Sequence, residues 1–96
     1  MKGYTYILKC VNESYYIGST IDLERRMIEH WSGLGANHTK KYPPIELVYV
    51  EEYDRIDYAF YREKQIQGWS RKKKETLISG QTNHLKLLSK KVNFKR

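Results

Sequence analysis

Residues 14–31 read SYYIGSTIDLERRMIEHW, and the period of their apolar side chains changes partway along. As far as Thr20 the stretch is rich in aromatic and β-branched residues, the composition of a pleated strand. From Asp22 onward the spacing becomes helical: Leu23, Met27, Trp31 and then Leu34 follow one another at four, four and three residues. That spacing gathers them on one helix face. Asp22 suits the N-cap, and Gly33 or Gly35 suits the exit. Gly18 stands where a strand can turn into that helix and where a ligand can approach the backbone.

Working outward, YTYILKC (4–10) has the same strand composition, and VNES between the two runs suits a turn, so a hairpin is expected. ANHTKKYPP (36–44) reads as a polar loop closed by two prolines, and IELVYVEEY (45–53) as a third strand. Residues 54–68 form a second helical pattern with Asp54 as its cap and Gly68 as its exit, and a short basic helix follows from Ser70 to Gly80. The order β-β-α-β-α-α predicts an α+β fold, a small three-stranded antiparallel sheet flanked by helices. Residues 1–80 form the main unit, and 81–96 read as a short helical extension with a basic tail.

Composition narrows the class. A chain of 96 residues with 40% hydrophobic and 30% charged content is globular rather than disordered. The formal net charge of +7 points to a polyanionic partner, nucleic acid before an anionic membrane surface. Cys10 is the single cysteine, which excludes an internal disulfide and a thiolate zinc cluster and suits a reducing cytoplasm. No apolar run approaches the roughly 20 residues of a membrane span. Met1-Lys2-Gly3 leads into a strand pattern rather than a signal peptide. A cytoplasmic protein is expected.

The candidate site residues come from four segments. Arg26 and His30 lie four apart on the first helix and project from one side, toward the half-buried shoulder of its apolar stripe. The plain alternatives are a pair between Arg26 and Asp22 and a satisfied boundary histidine. On the second helix Ile56, Ala59, Phe60 and Ile66 form an apolar face, with Glu63 projecting from its middle. An unpaired buried carboxylate costs several kcal/mol, and Arg62 and Lys64 lie elsewhere on the wheel. Its partner is then a metal ion or an arginine such as Arg26, unless Glu63 forms a structural ion pair or sits at a wet helix end. Tyr6 and Tyr16 share a sheet face only if paired positions sum to an even number, for example Cys10 opposite Tyr16. The even register is expected, through a three- or five-residue loop or a bulge. Lys40, Lys41, Arg71, Lys72, Lys73 and Lys74 are candidate phosphate contacts, against the alternative of a solvated helix face.

TYIL at 5–8, YIG at 16–18, Arg26, His30 and Glu63, in that order, resemble the GIY-YIG nuclease superfamily, and most of all its small standalone bacterial members. The resemblance spans about residues 3–80. It implies that Tyr6 and Tyr16 are the motif tyrosines, Gly18 the motif glycine, and Arg26, His30 and Glu63 the helix-borne arginine, histidine and metal-holding glutamate. The first motif here is Tyr4-Thr5-Tyr6, which changes packing residues and spares the phenol; Ser19 stands where some members have lysine. Asn83 lies in the region where many members carry a late asparagine. The implied activity is metal-dependent DNA endonuclease action with one Mg²⁺ or Mn²⁺ on Glu63. Arg26 would meet the phosphate, either motif tyrosine could act as general base, with Tyr6 favoured and Tyr16 positioning the water or phosphate, and His30 would relay a proton or bind phosphate. Branched, nicked or damaged DNA is the expected substrate, with a role in DNA repair and a protein partner for targeting. The alternatives are a non-catalytic nucleic-acid-binding module on the same fold, and a basic RNA-associated protein in which the Arg-His-Glu set is structural.

Overall fold

β1 (Gly3–Cys10) is the central strand of a three-stranded antiparallel sheet, with β2 (Tyr15–Thr20) on one side and β3 (Pro44–Tyr53) on the other. The structure, a computed structural model, describes residues 1–80; Asn83 and the extension and tail expected at 81–96 lie outside the described residues. The central place of β1 explains its near-continuous apolar run. Thr5, Tyr6, Ile7, Leu8 and Cys10 are all fully buried, because both faces of this strand are covered.

Alternation divides the core in two. Tyr6 and Leu8 pack with Val50 and with Leu23 and Met27 of α1 (Leu23–Trp31) on one face. Ile7 and Ile17 pack with Val48, Tyr49 and Ile66 of α3 (Ile56–Gln67) on the other, where Leu77 and Ile78 of α4 (Arg71–Gly80) join them. The expected three-stranded antiparallel sheet flanked by helices is the architecture found, in the expected order of its main elements.

Asp22 caps α1, its carboxylate accepting from the Arg25 N–H at 3.1 Å. The helix ends in a Schellman turn: the Gly33 N–H donates to the His30 carbonyl, the Leu34 N–H to the Glu29 carbonyl, and Gly33 takes φ 80°. That turn throws Leu34 outward, 73% exposed, so it does not extend the apolar stripe as its spacing predicts.

Three other expectations are corrected. Residues 36–44 are not all loop, since α2 (Asn37–Lys41) forms one short turn there, below the length at which periodicity carries a signal. Asp54 does not cap α3; Arg55 occupies that position without a side-chain cap. Phe60 is 46% exposed, so the buried face of α3 is narrower than its apolar residues suggest and centres on Ala59 and Ile66. Arg62, as expected, is not the partner of Glu63. It leans onto β3 and makes a two-pronged bond to Glu51 at 2.9 and 3.0 Å, and Tyr49 and Tyr53 donate to the same carboxylate. Thr5 clips α3 to the sheet by donating to the Ala59 carbonyl at 2.8 Å.

Candidate active site

The hairpin register decides whether two phenols can meet. β1 and β2 pair Tyr6 with Gly18 and Leu8 with Tyr16, so the sums are even and both tyrosines face α1. The register is the expected one, with Leu8 rather than Cys10 opposite Tyr16. The cause is the turn: the Cys10 N–H donates to Ser14 O and the Glu13 N–H to Cys10 O, closing a three-residue loop whose last residue, Glu13, has φ 66°. The two phenol rings stand 6.3 Å apart between centroids.

Gly18 makes room for the first of them. A Cβ there would lie 2.6 Å from Cζ of Tyr6 and 3.0 Å from Cε2 of Tyr16, well inside van der Waals contact. Gly18→Ala is therefore expected to destabilise the fold by about 1–3 kcal/mol through overpacking. Displacing the Tyr6 ring should also lower any activity about tenfold, read from urea midpoints and turnover together.

α1 brings an imidazole and a guanidinium to the same place. His30 is 1% exposed, deeper than the shoulder position its spacing predicts. Its Nε2 lies 2.8 Å from Tyr6 Oη and its Nδ1 2.8 Å from Thr39 Oγ1. Its ring sits edge-on to both Tyr6 and Tyr16. Burial, helped by the Arg26 charge, lowers the His30 pKa from 6.5 to about 4. The sign is that of a neutral buried base. As pH falls below about 6.5 the unfolded imidazole takes its proton first, so stability declines from there to about pH 4 and then levels. This one group accounts for a loss on the order of 3 kcal/mol over that span. Denaturant titrations at pH 7.5 and 4.5 should show it, and His30→Asn should flatten it.

Arg26 pairs with Glu29 at 2.8 Å, not with Asp22, and its side chain is 29% exposed. Burial raises the pKa of both phenols, and the Arg26 guanidinium opposes that rise at each through hydrogen bonding and charge. Tyr6 is shut in while Tyr16 is half-buried, so Tyr16 and Arg26 are what an incoming anion meets first. A groove of about 390 Å³ opens beside them, lined by Ser19, Thr20, Ile21, Asp22, Arg25, Arg26 and Glu29.

Glu63 comes from α3, on the opposite face of the sheet, and meets the edge of β2 at Ser19, which also lines the groove. Its Oε1 accepts from Ser19 Oγ at 2.5 Å and its Oε2 from Gln67 Nε2 at 2.8 Å, with Lys64 Nζ 3.9 Å away. It is not closed in an arginine bridge, and its charge acts on both Tyr6 and Tyr16. Among the described residues no three His, Cys, Asp or Glu side chains converge. A carboxylate held by two neutral donors, with one ammonium at 3.9 Å, has further lone pairs to offer, which fits a single divalent ion that retains most of its waters. The donor set does not fit a two-metal centre.

The basic residues divide. Lys40 and Lys41 are exposed on α2, with Lys41 Nζ 5.5 Å from the centre of the Tyr42 ring. Arg71, Lys72, Lys73 and Lys74 ride on α4, which packs against the face opposite the phenols, so the fold does not bring them to the cluster. Arg71 is tied to Glu75 and to the Glu13 carbonyl and lies over Tyr15; Lys73 lies over Trp69.

Sequence reasoning passed over three residues here. Ser19 orients Glu63, Thr39 holds His30, and His38 stands against Tyr16 and Tyr42 while bonding Ser14 Oγ at 2.8 Å. Two of them belong to α2, whose polar residues and following prolines carry no helical signal; the return of the chain after Gly33 and Gly35 is the one hint that it folds back over α1.

Comparison with known proteins agrees with this geometry. The family model described as the GIY-YIG catalytic domain matches residues 2–76. A UPF0213 protein of Natronomonas pharaonis is 43% identical over 79 residues, 82% of this chain and 93% of that one. One from Staphylococcus saprophyticus is 46% identical over 78 residues, 81% and 95% of the two chains. The solution NMR structure of the UPF0213 protein BH0048 from Bacillus halodurans superposes with a TM-score of 0.57 at 38% identity, covering 85% of this chain and 87% of that one.

Proposed function

The chain belongs to the GIY-YIG family, and from that premise we propose that it is a metal-dependent endonuclease hydrolysing phosphodiester bonds in DNA. The observation that carries the proposal is the convergence at one sheet edge of two phenols, a guanidinium and a carboxylate that no arginine closes off, with the charges of Arg26 and Glu63 both acting on the phenols. Arg26, forked and always charged, receives the phosphate oxygens on which charge grows during attack. Glu63 would hold the divalent cation; Mg²⁺ or Mn²⁺ bound there would supply Lewis-acid charge at the phosphate.

Tyr6 acts as the base through its neighbour. A buried phenol whose pKa is raised is a poor base alone, but its oxygen lies 2.8 Å from Nε2 of an imidazole that burial keeps neutral. As Tyr6 Oη takes a proton from the attacking water, its own proton passes to His30 Nε2, so no free phenolate has to form in the buried site. Tyr16, half-buried beside them, orients the water and the phosphate.

The exposed lysines of α2 lie on the side of Tyr16 and add non-specific backbone contacts. The contacts that Arg26 and these lysines offer are to phosphate, so selection falls on DNA structure, such as nicks and branches, rather than on base sequence. Incubating the purified protein with nicked, branched and intact duplex DNA, with and without Mg²⁺ or Mn²⁺, tests this. The expected result is metal-dependent cleavage favouring nicked or branched DNA. Binding that falls steeply with salt but no cleavage on any of these substrates would instead indicate the non-catalytic module.

A further inference from the structure

α2 closes over the buried imidazole, and its hydrogen bonds carry directional information. Thr39 has one hydroxyl proton, and Oγ1 lies 3.0 Å from the Ala36 carbonyl, which can only accept it. With its proton committed there, Oγ1 meets His30 Nδ1 at 2.8 Å as an acceptor. Nδ1 must then carry the ring's hydrogen, which leaves Nε2 bare toward Tyr6 Oη at 2.8 Å.

At the far end the Arg26 guanidinium, which can only donate, acts on the Tyr6 phenol, and a phenol proton turned toward a bare Nε2 suits both neighbours. The opposite tautomer would turn the Thr39 hydroxyl away from Ala36 and leave two oxygens 3.0 Å apart with no proton between them. Both Thr39 and His30 are 1% exposed, so water does not substitute for either partner. The charged and titratable groups around the ring are Arg26 and Glu29 on its own helix, Tyr6 and Tyr16 on the sheet, and His38 on α2 beyond Tyr16.

We propose that Thr39 is a positioning residue that locks His30 in the Nδ1–H tautomer, so that Nε2 always faces Tyr6 as a proton acceptor. The lock is a property of the folded chain. Its consequence for turnover rests on the nuclease reading.

The two separate experimentally. Long-range ¹H–¹⁵N spectra of the uniformly labelled protein at pH 7 report the protonated nitrogen of each imidazole. The wild type should show His30 as the Nδ1–H form. Thr39→Val, which keeps shape but removes the acceptor, should shift it toward the Nε2–H form, and Thr39→Ser should restore it. In cleavage assays Thr39→Val should lower kcat about tenfold with KM little changed, and Thr39→Ser should recover most of that loss. A wild-type His30 protonated on Nε2, or a Thr39→Val spectrum identical to wild type, overturns the lock. If Thr39→Val does not fold, the wild-type and Thr39→Ser spectra still decide. The expected spectra from a protein that cleaves nothing uphold the lock and count against the nuclease reading alone.

Discussion

Glu63→Gln is expected to lower metal-dependent cleavage by about 10³-fold or more while DNA binding and folding stay close to wild type. Glutamine keeps an oxygen for Ser19 Oγ, 2.5 Å away in the native site, and leaves Gln67 on the same turn of α3. The change removes the negative charge and little else. A neutral amide cannot anchor a divalent ion by itself, and no other carboxylate among the described residues stands in a cluster that could replace it. Losing several kcal/mol of charge stabilisation in the transition state gives the stated factor. Single-turnover cleavage of a nicked duplex at saturating enzyme reads it, with anisotropy for binding and circular dichroism for the fold. Cleavage within tenfold of wild type would remove Glu63 from the chemistry.

Arg26→Ala should have the next largest effect, a loss of about 10²–10³ in turnover. The guanidinium is partly exposed on the groove side and acts on both phenols at once. Its removal deprives the transition state of a forked donor and also lets both phenol pKa values rise further. Arg26→Lys should recover only part of the loss, because an ammonium cannot make the same two-pronged contact with phosphate. Stability should change little, since Glu29 keeps Arg25 as a partner at 3.4 Å. Rates that fall equally for a neutral substrate analogue would instead assign Arg26 a purely structural role.

Much of this site was legible before any coordinates, because strand parity and helix spacing are local properties. The even register of Tyr6 and Tyr16 follows from a three-residue turn, and Asp22 and Gly33 fulfil the cap and exit their types suggest. What escaped was tertiary. A helical wheel places His30 at a shoulder because it knows nothing of α2, which arrives from outside the helix and seals the ring. Phe60 reads as core by type, yet it falls to the outer side of a helix whose fully buried residues are Ala59 and Ile66. Glu63 was expected among greasy neighbours demanding a cation; in the fold its oxygens take a hydroxyl and an amide, a milder solution that keeps its charge available. The polar partners Ser19 and Gln67 carry no periodic signature, so no reading of spacing would have found them.

β2 lies at the margin of the sheet, and that placement limits how the architecture can be enlarged. The carboxylate comes from one side of the strand and the phenols from the other, so a molecule bound to both would have to cross its outer rim, which no further strand covers among the described residues. An additional strand zipped onto that rim would be a wall between them. Accretions to this scaffold, whether inserted segments or docked companions, are compatible with its chemistry on the far border beside β3, and a β-augmenting peptide on the near one would act as an inhibitor.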